Sequence, residues 1–219
     1  MSLSLLALGP TSVALLCAAI TLTVTIIAIV ACQAYGVVLS PIAAAAGAGL
    51  VALSSLASAQ ALGPALLGAA LGCGLLALAV IDAHLHRLPD SITLPLIVIG
   101  LVAAWIEQAD LPASQIAGAV IGYASLAVID WLYRLVRGRD GLGLGDAKLL
   151  AAAGAWLGWR PLPAVVLVAC ACGGIVLIIY AMRGRRSTAL SSLPFGPVLA
   201  IGIWLGFLAQ RVFPDQTGI

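Results

Sequence analysis

Asp82 and Asp146 are the residues whose types and surroundings suggest chemistry in a chain that is otherwise almost uncharged. Asp82 opens the polar stretch Asp82-Ala-His84-Leu-His86-Arg87-Leu-Pro89-Asp90, directly after a long apolar run. Asp146 closes the glycine-rich stretch Gly141-Leu-Gly143-Leu-Gly145-Asp146 and is followed by Ala147 and Lys148. Two carboxylates that share a site cannot both ionise cheaply, so one pKa rises and the pair holds a single proton. The charged member can then take a proton from water while the protonated member polarises a carbonyl under attack. Only the pair has meaningful pKa values. Gly143 and Gly145 are expected to take positive φ and to let a substrate backbone approach closely beside Asp146.

Sixty-four residues separate the two acids, so the elements between them must return the chain to the same place. Of the 219 residues, 63% are hydrophobic and 8% charged, and the mean hydropathy is +1.19. A soluble domain carries roughly 25% charged residues, which excludes a soluble enzyme, a disordered chain and a nucleic-acid binder. The first charged side chain is Asp82, and a run of 81 uncharged residues ahead of it needs lipid around it. The chain reads as an all-α polytopic membrane protein. A bilayer core about 30 Å thick takes roughly 20 apolar residues per helix. About eight transmembrane helices are expected, at 11–31, 36–56, 62–81, 91–106, 114–133, 147–159, 163–182 and 195–212. The N-terminus has no basic region ahead of its apolar run and is not read as a removable signal peptide.

Eight basic residues (Arg87, Arg134, Arg137, Arg139, Lys148, Arg183, Arg185 and Arg186) fall on one side of this arrangement, and Arg160 and Arg211 on the other. That asymmetry places the connections 82–90, 134–146 and 183–194 in the cytoplasm, both aspartates beside them, and both termini outside. Asp82 is expected to end its helix. The helix after Asp146 is short, about 20 Å at 1.5 Å per residue, so the acid is expected to be recessed in a water-accessible cleft.

At these residues the chain resembles the type IV prepilin peptidases, membrane aspartyl proteases of the Gly-x-Gly-Asp class. LAVIDAHLHRLPDSITLPL is similar to the family's first-aspartate region, and GLGLGDAKLLAAAGAWLGW to its second. The resemblance implies that Asp82 and Asp146 are the catalytic pair. It implies as substrate the N-terminal helix of a prepilin or pseudopilin, cut at the cytoplasmic face of a bacterial inner membrane after a glycine. Residues 62–212 fit the peptidase core. On this reading 1–60 supply N-terminal transmembrane helices and 61–219 the core, within a single integral-membrane domain. Many members also methylate the new N-terminus through an insert after the first span. Here only Cys32–Gly36 joins the first two expected helices, so neither methylation nor a cofactor is expected.

The remaining polar residues have plainer readings. Asp90 is a natural N-cap for the helix that follows, with a site role as the alternative. Pro95 is expected within about a turn of that helix's start, where a missing N–H costs least. Lys148 either holds Asp146 ionised and contacts substrate carbonyls, or simply sets topology. His84 and His86 lack partners for a metal, and none is expected. Asp130 and Arg134 stand at i, i+4 and are expected to pair. Trp105, Trp131, Trp156 and Trp159 read as interface anchors. Cys17, Cys32, Cys73, Cys170 and Cys172 read as apolar packing residues. A presenilin-type protease would need a Tyr-Asp motif, and the chain has none. A small transporter or proton channel relaying through Asp82, Asp130 and Asp146 would spread its acids through the membrane depth. These three lie toward one face. A catalytically idle assembly or chaperone protein would not need intact aspartates in both motifs.

Overall fold

The computed structural model describes residues 62–108, 110–138, 143–182 and 194–212, together with Gly49 and Val51, which are helical. Among the described residues six α-helices follow one another: α1 (Leu62–Leu85), α2 (Asp90–Gln108), α3 (Ala113–Arg137), α4 (Leu144–Leu157), α5 (Leu162–Met182) and α6 (Phe195–Val212). All six were expected at these places from hydropathy. The expected helices 11–31 and 36–56, with Cys17 and Cys32, lie outside the described residues apart from Gly49 and Val51. Among the described residues four stretches are long and apolar enough to cross a membrane: Leu66–Leu85, Asp90–Gln108, Ala113–Arg137 and Leu162–Ile179. The chain is a multi-pass membrane protein. Its outward residues agree, with Ile106, Val120, Trp131 and Val136 all exposed as a lipid-facing surface requires.

The chain divides into two compact units, Met1–Ala77 and Leu78–Ile219. In the first, α1 buries Ala69, Leu71, Cys73, Leu75 and Ala77. The second contains both aspartates and is organised around α4. This helix is apolar all round, and such a helix belongs inside a bundle. From Leu149 to Leu157 only Trp156 is not fully buried. α2, α3, α5 and α6 all pack against α4.

Small residues set how closely these helices approach. Gly118 and Gly122, spaced four apart on α3, lie against the backbone of α4 at Gly154 and Leu150. A Cβ on Gly122 would meet the Leu150 carbonyl oxygen at 2.5 Å, and one on Gly154 would strike Gly118 itself. Backbones meet this closely in membranes because small-xxx-small faces gain contact area without side chains in the way. On the other side of α4, the indole N–H of Trp156 donates to the Leu96 carbonyl of α2 at 2.9 Å, and its ring fills the space over Gly100. Trp156 is therefore a packing residue inside the unit and not the interface anchor expected of it. Its ring also meets Phe207 of α6 edge-on, with centroids 6.2 Å apart.

Helices consecutive in sequence alternate in direction, which sorts the polar contacts to two ends. At one end Arg211 pairs with Glu107 at 3.3 Å, Gln210 donates to the Leu157 carbonyl at 2.8 Å, and Gly158, at φ +79°, caps α4. At the other end lie the C-terminus of α1 and the N-termini of α2, α4 and α6. Both aspartates are there.

Candidate active site

Asp82 does not end its helix as expected. α1 continues for almost another turn to Leu85, and His86 closes it: its N–H donates to the Asp82 carbonyl at 2.9 Å from a left-handed conformation, φ +51°. His84 uses its ring Nδ1 on the Val80 carbonyl at 2.9 Å. The extra turn fixes where Asp82 points. Asp82 is 6% exposed, while Ala83, His84 and Leu85 are exposed to the outside. Inside, its Oδ2 accepts the main-chain N–H of Gly196 at 2.9 Å, a buried hydrogen bond across 114 residues. Sequence reasoning missed Gly196 altogether. The only local signal was Pro194-Phe-Gly196-Pro197 ahead of an apolar run, which reads as a helix start and nothing more.

Asp146 is half-buried in the first turn of α4. Its N–H donates to the Gly143 carbonyl at 3.0 Å, so Gly143 is the N-cap of the helix. The expected positive φ at these glycines is not found. Gly143 is extended, with φ −68° and ψ 133°, and Gly145 is already helical. The reason for a glycine at 145 is a neighbour: a Cβ there would lie 2.9 Å from Cβ of Leu88, in the connection that follows Asp82. Gly143 remains open, since a Cβ there would meet nothing nearer than Asp146 Oδ2 at 3.9 Å.

Asp82 acts on Asp146. Burial, and after it the negative charge of Asp82, push the Asp146 carboxyl up to about 7. Burial and a neighbouring negative charge both favour the protonated form of Asp146, and a proton held there is the state that water activation needs.

Lys148 and Asp90 are brought together too. Nζ of Lys148 donates to both oxygens of Asp90, at 2.6 and 2.7 Å. Asp90 is therefore not the N-cap expected of it. Pro89 takes that place: its carbonyl accepts the N–H groups of Ile92 and Thr93 and the Thr93 hydroxyl. With α2 starting at Asp90, Pro95 falls in its second turn, later than expected. Asp130 is buried on α3 and pairs with Arg134 at 2.6 Å, as its spacing indicated.

The chain has relatives among known proteins. Residues 69–178 match the model of the type IV leader peptidase family. A prepilin leader peptidase/N-methyltransferase of Burkholderia pseudomallei is 48% identical over 155 residues, 70% of this chain and 50% of that protein. Its Pseudomonas aeruginosa counterpart is 43% identical over 135 residues, covering 62% of this chain and 46% of the relative. The leader peptidase HopD of Escherichia coli is 45% identical over 137 residues, 59% of this chain and 86% of that protein. The chain thus spans about half the length of the first two. No solved structure matches it. The matched residues include both aspartate-bearing segments, and the chain belongs to the type IV leader peptidase family.

Proposed function

We propose that this chain is a membrane aspartyl endopeptidase that removes the leader peptide from type IV prepilins or pseudopilins at the cytoplasmic face of a bacterial inner membrane. Asp82 and Asp146 are its catalytic pair. The observation that carries this reading is that the buried Asp82 and the half-buried Asp146 stand at one end of the second unit, close enough for the charge of Asp82 to act on Asp146. The relatives' printed names supply the substrate class.

In this reading eight helices cross the membrane and the connections 82–90, 134–146 and 183–194 face the cytoplasm, which the distribution of basic residues supports. The substrate's single apolar helix enters from the lipid and presents its scissile bond at the rim. Gly143, open and extended beside Asp146, leaves room for the substrate backbone. Asp90 and Lys148 fasten the two acid-bearing segments together. The reaction is cleavage without methyl transfer, a reading supported by the five-residue link Cys32–Gly36.

The test is a cleavage assay in membranes, with a prepilin co-expressed beside the wild type, Asp82→Asn and Asp146→Asn. Wild type removes the leader, and each variant leaves it intact at normal protein levels. Mass spectrometry of the product's N-terminus shows no added methyl group. Continued cleavage by either variant, in a host lacking other prepilin peptidases, would sink the dyad.

A further inference from the structure

We infer that the main-chain N–H of Gly196 sets the charge asymmetry of the pair, holding Asp82 as the carboxylate that accepts water's proton and leaving Asp146 as the carboxyl that donates one. The inference rests on the peptidase reading above and adds a positioning residue and a division of labour to it.

Asp82 stands in the last turn of α1, where the helix dipole disfavours a negative charge. An anion there needs a donor from elsewhere. α6 supplies it: the first N–H groups of a helix have no partner within their own helix. Gly196 is the second residue of α6, and its N–H reaches Asp82 Oδ2 at 2.9 Å out of contact with water. Pro197, the next residue, has no N–H to offer. A hydrogen bond from a backbone N–H to a carboxylate favours the charged form. Glycine is required for the approach, because a Cβ at 196 would lie 2.6 Å from Oδ2 and 2.9 Å from Cγ of Asp82.

Asp146 is placed differently. It too stands near a helix N-terminus, but burial and the Asp82 charge raise its carboxyl, and among the described residues no hydrogen bond offsets them. The donor goes to Asp82, and the shared proton stays on Asp146.

The roles then follow in balanced steps. As water's oxygen bonds to the scissile carbonyl carbon, the Asp82 carboxylate takes one water proton. Asp146 gives its proton to the carbonyl oxygen, which yields a neutral gem-diol. In the second step Asp82 passes its proton to the amide nitrogen, and Asp146 takes one from a gem-diol hydroxyl. The C–N bond breaks, a carboxylic acid and an amine leave, and the pair returns to its starting state.

The test uses the purified full chain with a prepilin substrate over a range of pH. In Gly196→Ala, kcat per folded enzyme falls about 10- to 100-fold, the loss of one hydrogen bond to a charged group, with KM little changed. The acidic limb of the rate profile moves to higher pH, because Asp82 loses the donor that favours its charge while His86 and Asp146, the other titratable groups beside it, are unchanged. Gly202→Ala is the control. It crowds the Val165 carbonyl from the same helix without touching Asp82, and it leaves the limb in place. A Gly196→Ala rate or profile equal to wild type overturns the inference. So does an equal shift in Gly202→Ala, which would show that moving the helix is enough. Difference infrared spectroscopy gives a reading independent of position 196. The protonated-carboxyl band present at pH 6 disappears in Asp146→Asn and persists in Asp82→Asn, and the reverse pattern overturns the assignment. If Asp82→Asn or Asp146→Asn still cleaves, the peptidase reading itself fails, whatever Gly196 does.

Discussion

The two acid-bearing segments solve opposite problems. Asp82 sits at the C-terminal end of a long apolar helix, fully buried, and its side chain is satisfied by a backbone group 114 residues away. Asp146 sits half-buried at the N-terminal end of a 14-residue helix. The first acid is fixed by a long-range hydrogen bond from the start of α6. The second is fixed by how α4 is seated between α2, α3 and α6. A pair that must hold one proton gains from such unlike surroundings, because unlike surroundings separate the two ionisations.

Removing either acid is the largest break. Asp82→Asn and Asp146→Asn each reduce leader removal by on the order of a thousandfold or more, since a pair acting as a unit loses nearly everything with one member. The amount of folded protein separates this from collapse, because Asn keeps the shape and the Gly196 N–H keeps an oxygen to donate to.

The seating of α4 is the next comparison to break. Gly154→Leu forces a side chain into Gly118 of α3, where the two backbones already touch. Overpacking of this kind costs typically about 1–3 kcal/mol, read as a fall in the midpoint of thermal unfolding in detergent. Activity per folded molecule falls as well, since α4 carries Asp146. Gly174→Leu, which meets open space on α5, changes neither.

Acidity sharpens the contrast between the two acids. The proposed peptidase cycle needs Asp146 protonated, and burial and the Asp82 charge push its carboxyl up to about 7. Cleavage therefore declines as pH rises through about 7, when the pair loses its remaining proton. In Asp82→Asn the smaller cause of the shift, the neighbouring charge, is gone while burial stays. Asp146 then titrates below its wild-type value but still above an ordinary carboxyl, a change that infrared titration of the variant would follow.

What was readable in the sequence follows the same division. Asp146 lies within a contiguous motif, and helix positions follow from hydropathy, so the site's second half and all six described helices were foreseeable. The partner of Asp82 was not. It is a backbone N–H, which no residue type announces, and it arrives from the far end of the chain. Gly145 was misread for a related reason. Its role depends on Leu88, 57 residues earlier, and not on any unusual φ of its own. Trp156 looked like an interface anchor because it stands near a helix end, but that helix is enclosed by its neighbours and its indole N–H finds Leu96.

The smallest expected effect concerns the link between the two segments. Asp90 stands eight residues after Asp82 and Lys148 two after Asp146, so their ion pair joins the connection that follows one acid to the helix that carries the other. Both side chains reach solvent, at 27% exposure for Lys148 and 55% for Asp90. Water screens such a pair, and exposed pairs contribute about 0.2–1 kcal/mol. Lys148→Ala or Asp90→Ala should then slow cleavage only about two- to fivefold, with little change in thermal stability. The exchange Asp90→Lys with Lys148→Asp separates two explanations. If the pair acts by fastening the segments, the double variant recovers most of the lost rate. If Lys148 instead contacts substrate carbonyls directly, the exchanged pair forms yet the rate stays low and KM rises, because a carboxylate now stands where the ammonium met the substrate.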